Sequence, residues 1–359
     1  MSATTTNAAE RMLGAELETS AIAVPPDQAE QIARDHYGLI GRAEWLWGEK
    51  DSNYRLTLED GTAYLLKILN PAEDPLVTSM HSEALLHVQA MDPGIPVQRI
   101  IRTRDGAADF RFVADDGGKR GVRMVTFVPG IAQRTAPNSP LQRRKVGALL
   151  GRMQKALKSF THAAASHRIT WDMKHAGGTR DLMPAFADPR ERARLERAID
   201  EFEAEIIPVL HSLPAQVIHN DFNMENILVD PARPQDITGI IDFGDMVHAP
   251  ILFDVGVAAA YQIGAEHDPV EAMCDLIGGY CGECVLSDAE IALVYTAAVM
   301  RLVMRLAIPQ WRARLFPEHA ARFTIRSASV WAQLARLDAI PRESAIERLR
   351  AASRQGYRT

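Results

Sequence analysis

The sequence predicts an α+β, two-lobed chain: a small N-terminal sheet lobe carrying one main helix, followed by a larger, mainly helical lobe. Three observations predict it. Strand-type runs on either side of one helical stretch fill the first third; Pro129-Gly130 then breaks the pattern; and helical spacing dominates from Leu141 onward. The expected boundaries are a flexible tail over 1–23, the sheet lobe over 24–128 and the helical lobe over 129–359.

Taken in order, Pro26 to Tyr37 has the spacing of a short helix, and Trp45 to Leu58 shifts to strand character with Tyr54, Leu56 and Leu58 alternating. Asp60-Gly61 supplies a hairpin turn, so Ala63 to Ile68 is the partner strand, apolar but for Lys67. Pro71 and Pro75 close it. Val77, Met80, Ala84, Val88 and Met91 then recur at helical spacing over Leu76 to Met91, with Glu83 bordering the stripe. Further strands are expected at Val97 to Ile101, Phe110 to Val113 and Val122 to Val128.

In the second lobe, helices are expected over Leu141 to Phe160, Arg190 to Leu210, Ile251 to Ile263 and Asp288 to Ile308, with two more toward the C-terminus. Three short apolar runs interrupt them, Gln216 to Ile218, Ile227 to Val229 and Ile237 to Ile241. Separated by polar loops, they read as strands inside a helical lobe.

The 359 residues are 47% hydrophobic and 24% charged, which excludes disorder throughout. With 46 acidic against 40 basic residues the formal charge is -6, which argues against a nucleic-acid partner and favours a cationic or zwitterionic ligand. Met1 to Glu10 has neither the basic start nor the apolar core of a signal peptide, so a cytoplasmic protein is expected. Arg301 and Arg305 interrupt the apolar stretch Ile291 to Ile308, making it a core helix rather than a membrane span. Cys274, Cys281 and Cys284 are too few and too bunched for a disulfide framework, and the C-x-x-C of Cys281 and Cys284 reads as cysteines at a helix end.

The chemistry is concentrated in Val217 to Val229, where His219, Asp221 and Asn226 form H-x-D-x-x-x-x-N entering an apolar strand, the spacing of a kinase catalytic loop. Such a loop lets Asp221 accept the proton of a substrate hydroxyl while Asn226 places an oxygen on a metal. Sixteen residues on, Ile240-Ile241-Asp242-Phe243-Gly244 ends a strand with Asp242, the second metal ligand. Mg²⁺ takes hard oxygen donors and keeps waters, so one carboxylate, one amide oxygen and nucleotide phosphates suffice. Lys67, an ammonium in an apolar strand, needs a partner, and Glu83 on the following helix is expected to supply it. The phosphate-covering loop falls between Trp47 and Tyr54. With Gly48 its one glycine, Ser52 and Asn53 share that task.

These residues, with Asp51-Ser52-Asn53-Tyr54, Tyr64 to Ile68, Thr126 to Gly130, Trp171 to Lys174 and Ile241 to Met246, resemble the aminoglycoside phosphotransferase and choline kinase-like family, and within it the hydroxylysine kinase branch. The similarity covers roughly Pro26 to Pro317. It implies a bilobal, protein-kinase-like fold, a hinge at Val125 to Val128 that offers Thr126 and Val128 to the nucleotide base, and Asp254 beneath the catalytic loop. Asn220 stands where the family often has glycine, and Phe222 where it often has leucine. The resemblance also implies ATP or GTP as donor, Mg²⁺, and a hydroxy amino acid or amino alcohol as acceptor, 5-hydroxylysine being the named example.

Candidate acceptor residues are Arg301 and Arg305, four apart on one helical face and able to form a carboxylate-binding wall or to anchor the scaffold. Trp171 and Asp172 can cover and pair with an ammonium, and Asp245 can meet a cation or close a turn. An antibiotic phosphotransferase shares the same catalytic residues, and a catalytically silent nucleotide-binding pseudokinase is the reading from another class. A monomer or homodimer without membrane partners is expected.

Overall fold

The computed structural model describes residues 24–48, 51–114, 117–264 and 268–356. The expected tail over 1–23 and two residues of the expected phosphate loop, Glu49 and Lys50, lie outside the described residues.

The first lobe opens with α1 (Pro26–Ile32), which passes into a single π-turn ended by Gly38 at φ 72. Strands β1 (Gly41–Leu46), β2 (Ser52–Leu58) and β3 (Ala63–Ile68) follow. The β2–β3 turn is where Asp60-Gly61 predicts it, with Gly61 at φ 84 and the Thr62 N–H donated to the Asp60 carboxylate at 2.8 Å. Helix α2 (Pro75–Met91) leads to β4 (Ile100–Ile101), β5 (Asp109–Val113) and β6 (Lys119–Thr126). The sheet runs β1-β2-β3-β6-β4, with β5 also on β6, antiparallel throughout.

The strand expected over Val97 to Ile101 is shorter than its apolar run. Arg99 donates its N–H to the Thr126 hydroxyl, Ile240 of the other lobe donates to the Pro96 carbonyl, and Val97 bridges to Ile240. That segment therefore joins the lobes instead of extending the sheet.

The second lobe holds β7 (Ile131–Ala132), α3 (Pro140–Leu157) and α4 (Pro189–Glu205). Helix α4 ends before the expected Leu210 because Pro208 opens a 3₁₀ turn, Ile207–Ser212. Strands β8 (Ala215–Ile218), β9 (Ile227–Val229), β10 (Ile237–Ile240) and β11 (Val247–Pro250) form two small sheets, β10-β9-β7 and β11-β8. Helices α5 (Ile251–Gln262), α6 (Pro269–Cys281), α7 (Asp288–Leu315), α8 (Ala320–Phe323), α9 (Ser327–Asp338) and α10 (Arg342–Gly356) complete it. Helix α7 starts at a capping box of Ser287 and Glu290 and runs past the expected end through Pro309. Buried Leu306, Ala307 and Ile308, with Trp311 packed against the core, offset the hydrogen bond that the proline removes. The helix is long and apolar enough to cross a membrane, yet 83% of its most apolar window is buried inside the protein. Cys281 closes α6, and among the described residues no disulfide joins the three cysteines.

Helices α3 and α6 cross at backbone contact. A Cβ on Gly147 would lie 1.9 Å from the Leu276 carbonyl oxygen, and one on Gly279 1.9 Å from that of Arg144. Arg143 on α3 is buried and grips Asp275 of α6 at 2.7 and 3.0 Å. The crossing positions the site, because α3 carries Gln154, whose side chain donates to the Ile251 carbonyl at the head of α5 and whose carbonyl accepts from Gln216 on β8. Gly147→Ala is expected to destabilise the protein by about 3 kcal/mol. Gly264→Ala, where an added Cβ meets nothing within 4 Å, should stay within about 0.5 kcal/mol. Urea unfolding of the two variants checks this.

Candidate active site

The loop between β8 and β9 hangs from one buried carboxylate. Asp254, in the first turn of α5, accepts the N–H of His219 at 3.1 Å and of Asn220 at 2.7 Å. Burial raises its pKa, while the neighbouring His219 ring and the two N–H groups oppose that rise. The His219 ring is buried against Phe222 and Phe243, with centroids at 5.7 and 4.8 Å, and its Nδ1 accepts the N–H of Asp221 at 3.3 Å. Asn220 sits at φ 64, in the left-handed region that glycine occupies most readily and asparagine tolerates. Its side-chain amide donates to the Trp171 carbonyl at 3.4 Å.

Asp221 then faces the cleft with both carboxylate oxygens held. Oδ2 accepts from Asn226 Nδ2 and Oδ1 from Arg301 Nη2, each at 2.8 Å. Asn226 Nδ2 also donates to the Asp221 backbone oxygen at 3.0 Å, which turns the amide oxygen away from the aspartate. Asn223 Oδ1 clamps the turn by accepting the N–H groups of Glu225 and Asn226. The Ile241 N–H donates to the Asn226 carbonyl at 2.9 Å, tying the catalytic loop to Asp242. Asp242 lies just past β10, also left-handed at φ 62, with its Oδ1 3.6 Å from Lys67 Nζ and 3.4 Å from the Gly244 N–H.

Lys67 is paired, but not with Glu83. Its Nζ stands between Asp242 Oδ1 and Asp51 Oδ2, the latter at 3.7 Å. Asp51 is buried and held by the Asn70 N–H. Glu83 is more than half exposed, accepts from Ser79 and lies 4.0 Å from His162 Nε2. The apolar stripe of α2 turns inward and leaves Glu83 on the rim, away from β3. Ser52 is likewise buried, opposite Ile68 in the sheet, and does not line the cleft, whereas Asn53 and Gly48 do. A Cβ on Gly48 would lie 2.7 Å from the Asp51 carbonyl oxygen and 2.3 Å from Asn53 Nδ2, so the strand end folds over the site only with glycine there. Thr126 donates its N–H to Arg99 and accepts from Arg99 in return, and neither Thr126 nor Val128 lines this cleft.

Of the expected acceptor residues, Trp171, Asp245 and Arg301 line the cleft. The indole of Trp171 is covered by the protein's own cation, the Arg301 guanidinium, 4.7 Å from the ring centroid. Asp172 points inward, buried, capping Lys174 N and 3.3 Å from its ammonium. Arg305 stacks at 4.1 Å on Tyr261 and donates to Gln333, lining a second cavity. The main cleft encloses about 380 Å³ and is lined by five carboxylates, Asp51, Asp221, Glu225, Asp242 and Asp245, against the cations Lys67, Arg168 and Arg301. That excess of negative charge suits a divalent cation. The outward amide oxygen of Asn226 and the half-exposed Asp242 carboxylate fit Mg²⁺. Among the described residues no cluster of three His, Cys, Asp or Glu offers a rival cage.

A family model described as the phosphotransferase enzyme family, APH, matches residues 46–278, which include every residue of the cleft but Arg301. The chain belongs to this phosphotransferase family. It is 25% identical to hydroxylysine kinase of Mus musculus over 333 residues, covering 86% of this chain and 88% of that protein. To hydroxylysine kinase of Xenopus laevis it is 23% identical, over 93% and 95%. Among solved structures, a microcompartment-associated aminopropanol kinase shares the fold with TM-score 0.66 and 21% identity, over 86% of this chain and 95% of that one. Amicoumacin kinase hAmiN in complex with AMP-PNP, Ca²⁺ and Ami shares it with TM-score 0.65 and 16% identity, over 89% and 95%. The kinase-like, bilobal α+β fold is thus as expected.

Within this phosphotransferase the site holds residues that sequence reading passes over. Asn223 is signalled only by its place inside the loop motif. Asp51 is signalled only as part of the Asp51-Ser52-Asn53-Tyr54 stretch, not as the partner of Lys67, and Tyr261 carries no local signal, since their roles arise from strand register and from the packing of α5 against α7. Asp254→Asn would turn an NH₂ toward one of the two donors it now accepts from. It is expected to cost about 2 kcal/mol of stability and to lower kcat about tenfold or more, with nucleotide KM little changed. Steady-state kinetics beside thermal unfolding checks both.

Proposed function

We propose that this phosphotransferase moves the γ-phosphoryl group of ATP or GTP to a hydroxyl of a hydroxy amino acid of the 5-hydroxylysine type. The observation that carries the chemistry is the convergence of Asp221, Asn226, Asp242 and Lys67 on one cleft. Asp221 accepts the hydroxyl proton through a lone pair left by its two donors, and Lys67, between two carboxylates, turns its ammonium to the triphosphate. Asn226 Oδ1 and Asp242 would hold Mg²⁺, which neutralises phosphate charge when bound.

For the acceptor, the support is the curated relatives, matched over most of their length, together with a second cavity of about 260 Å³. That cavity shares Trp171, Asn223, Glu225 and Tyr261 with the cleft and adds Arg305, Arg322 and Arg326. Burial and the neighbouring guanidinium charges press the Arg305 pKa below its ordinary value, and its Gln333 and Tyr261 contacts are uncharged side chains. A carboxylate suits that place, while the acidic main cleft suits ammonium groups, and a hydroxylated diamino acid carries both. The acid-rich cleft taken alone favours an amino alcohol or aminoglycoside, the second reading. A silent nucleotide-binding protein has no use for Asp221 beside Asn226 and Asp242.

Turnover with ATP and GTP should be measured against 5-hydroxylysine, its decarboxylated analogue, 1-amino-2-propanol and spectinomycin. The expected result is preference for 5-hydroxylysine over the decarboxylated compound. In Asp221→Asn, kcat should be about 10²- to 10⁴-fold lower. Undiminished acceptor-dependent turnover in that variant would remove Asp221 as base, and no response to any acceptor would favour the silent reading.

A further inference from the structure

We propose that Arg301, eighty residues beyond the catalytic loop on α7, is a positioning residue that locks the Asp221 carboxylate in its working orientation and so governs the rate of transfer rather than the binding of either substrate. This rests on the reading of Asp221 as the base.

A carboxylate held by one oxygen swings about its Cβ–Cγ bond, and one held by both does not. Asn226 Nδ2 grips Oδ2 and Arg301 Nη2 grips Oδ1, each at 2.8 Å. The two donors come from different elements, the loop itself and the longest helix. Arg301 is itself immobile. Its side chain is 1% exposed, against 20% for Asp221. Its guanidinium lies between the rings of Trp171 and Tyr261, at 4.7 and 5.8 Å from their centroids, and Nη1 reaches the Trp171 carbonyl at 3.5 Å. That carbonyl also takes the Asn220 side-chain amide, so the same oxygen steadies the loop and the arginine.

A substrate-binding role would need exposed donors, and Arg301 has almost none to offer. Nη2 is spent on Asp221, and Nε is buried without a hydrogen-bond acceptor among the described residues. The guanidinium thus bears the cost of desolvation, offset by Tyr261 and Asp221, with Asp245 adding to the attraction. An arginine kept in that state at the buried wall of the cleft is built to hold one carboxylate. Lysine cannot replace it: an ammonium lacks the planar fork that reaches Asp221 and the Trp171 carbonyl together and stacks on the indole.

The test uses the full chain with Mg-ATP, reading both transfer to the best acceptor of the panel above and slow hydrolysis with water as acceptor. Rates are counted per nucleotide-competent molecule by titration with AMP-PNP. Arg301→Gln is expected to lower kcat ten- to a hundredfold while the KM values for ATP and acceptor move less than threefold. Arg301→Lys should recover only a minor part, and guanidinium ion added to Arg301→Ala should restore activity that ammonium ion does not. Should Arg301→Gln fail to fold, Arg301→Lys carries the same test with the charge retained. A raised acceptor KM with kcat intact would make Arg301 a substrate ligand and overturn the inference. So would full activity per competent molecule with a lowered Tm, which marks a purely structural ion pair. A wild type inert toward every acceptor and water fails earlier and at a different place, in the reading of function, and leaves Arg301 nothing to position.

Discussion

The site depends first on a carboxylate that never meets substrate. Asp254 is buried and accepts two consecutive backbone N–H groups, those of His219 and Asn220. Without an acceptor those donors would be orphaned in an apolar lobe, at a cost of about 1–3 kcal/mol each. The loop therefore cannot relax away from α5, and everything it carries inherits that position. Asp221 leaves the anchored segment toward the cleft, and Asn226 returns beneath it to donate to the same aspartate. The Asn226 carbonyl then fixes Ile241, and hence Asp242. One buried acceptor thus orders both cleft aspartates, Asp221 and Asp242.

The two lobes share one hydrophobic core, in which α2 packs against α3, and at the cleft they meet through charge and one backbone segment. Lys67, from the small sheet, stands between Asp51 of its own lobe and Asp242 of the other. These distances exceed direct hydrogen-bonding range, so the ammonium is attracted by both without being spent on either. Meanwhile the Pro96 carbonyl accepts from Ile240, so the strand that delivers Asp242 is tethered to the first lobe two residues before the acid. The cleft between the lobes is consequently narrow in its geometric freedom where phosphate and metal would sit. Its acceptor side, lined by helices α5 and α7, is built from separate elements.

How much of this could be read from the sequence follows from where each interaction lives along the chain. The convergence of Asp221, Asn226 and Asp242 on one cleft was legible because it depends on short spacings and on the ends of short apolar runs, which local physics determines. Lys67 was legible as an anomaly, a charge in an apolar strand. Its partner was not, since choosing Glu83 over Asp51 requires the rotational phase of α2 and the β2–β3 register together. Arg301 was visible as a charge in an apolar helix, but that its guanidinium reaches Asp221 depends on how α7 packs across the lobe, which spacing does not encode. Helix α6 escaped because glycine and cysteine dilute its apolar pattern, and those glycines are what allow it to touch α3.

The departures from local rule fall at the chemistry. Among the described residues the non-glycine positions with left-handed backbone are Asn220 and Asp242, one immediately before Asp221 and one in the cleft itself. Such a conformation costs about 1–2 kcal/mol for an L-residue and persists only where surroundings overdetermine it. At Asn220 the overdetermination is visible: its N–H is held by Asp254 and its amide reaches Trp171. A glycine there would relieve the backbone but lose the amide that links the loop to the carbonyl shared with Arg301. Asparagine at this position therefore trades backbone ease for a side chain that couples the loop, the indole and the arginine. The coupling makes sense only if the orientation of Asp221 is what the surrounding residues are arranged to protect.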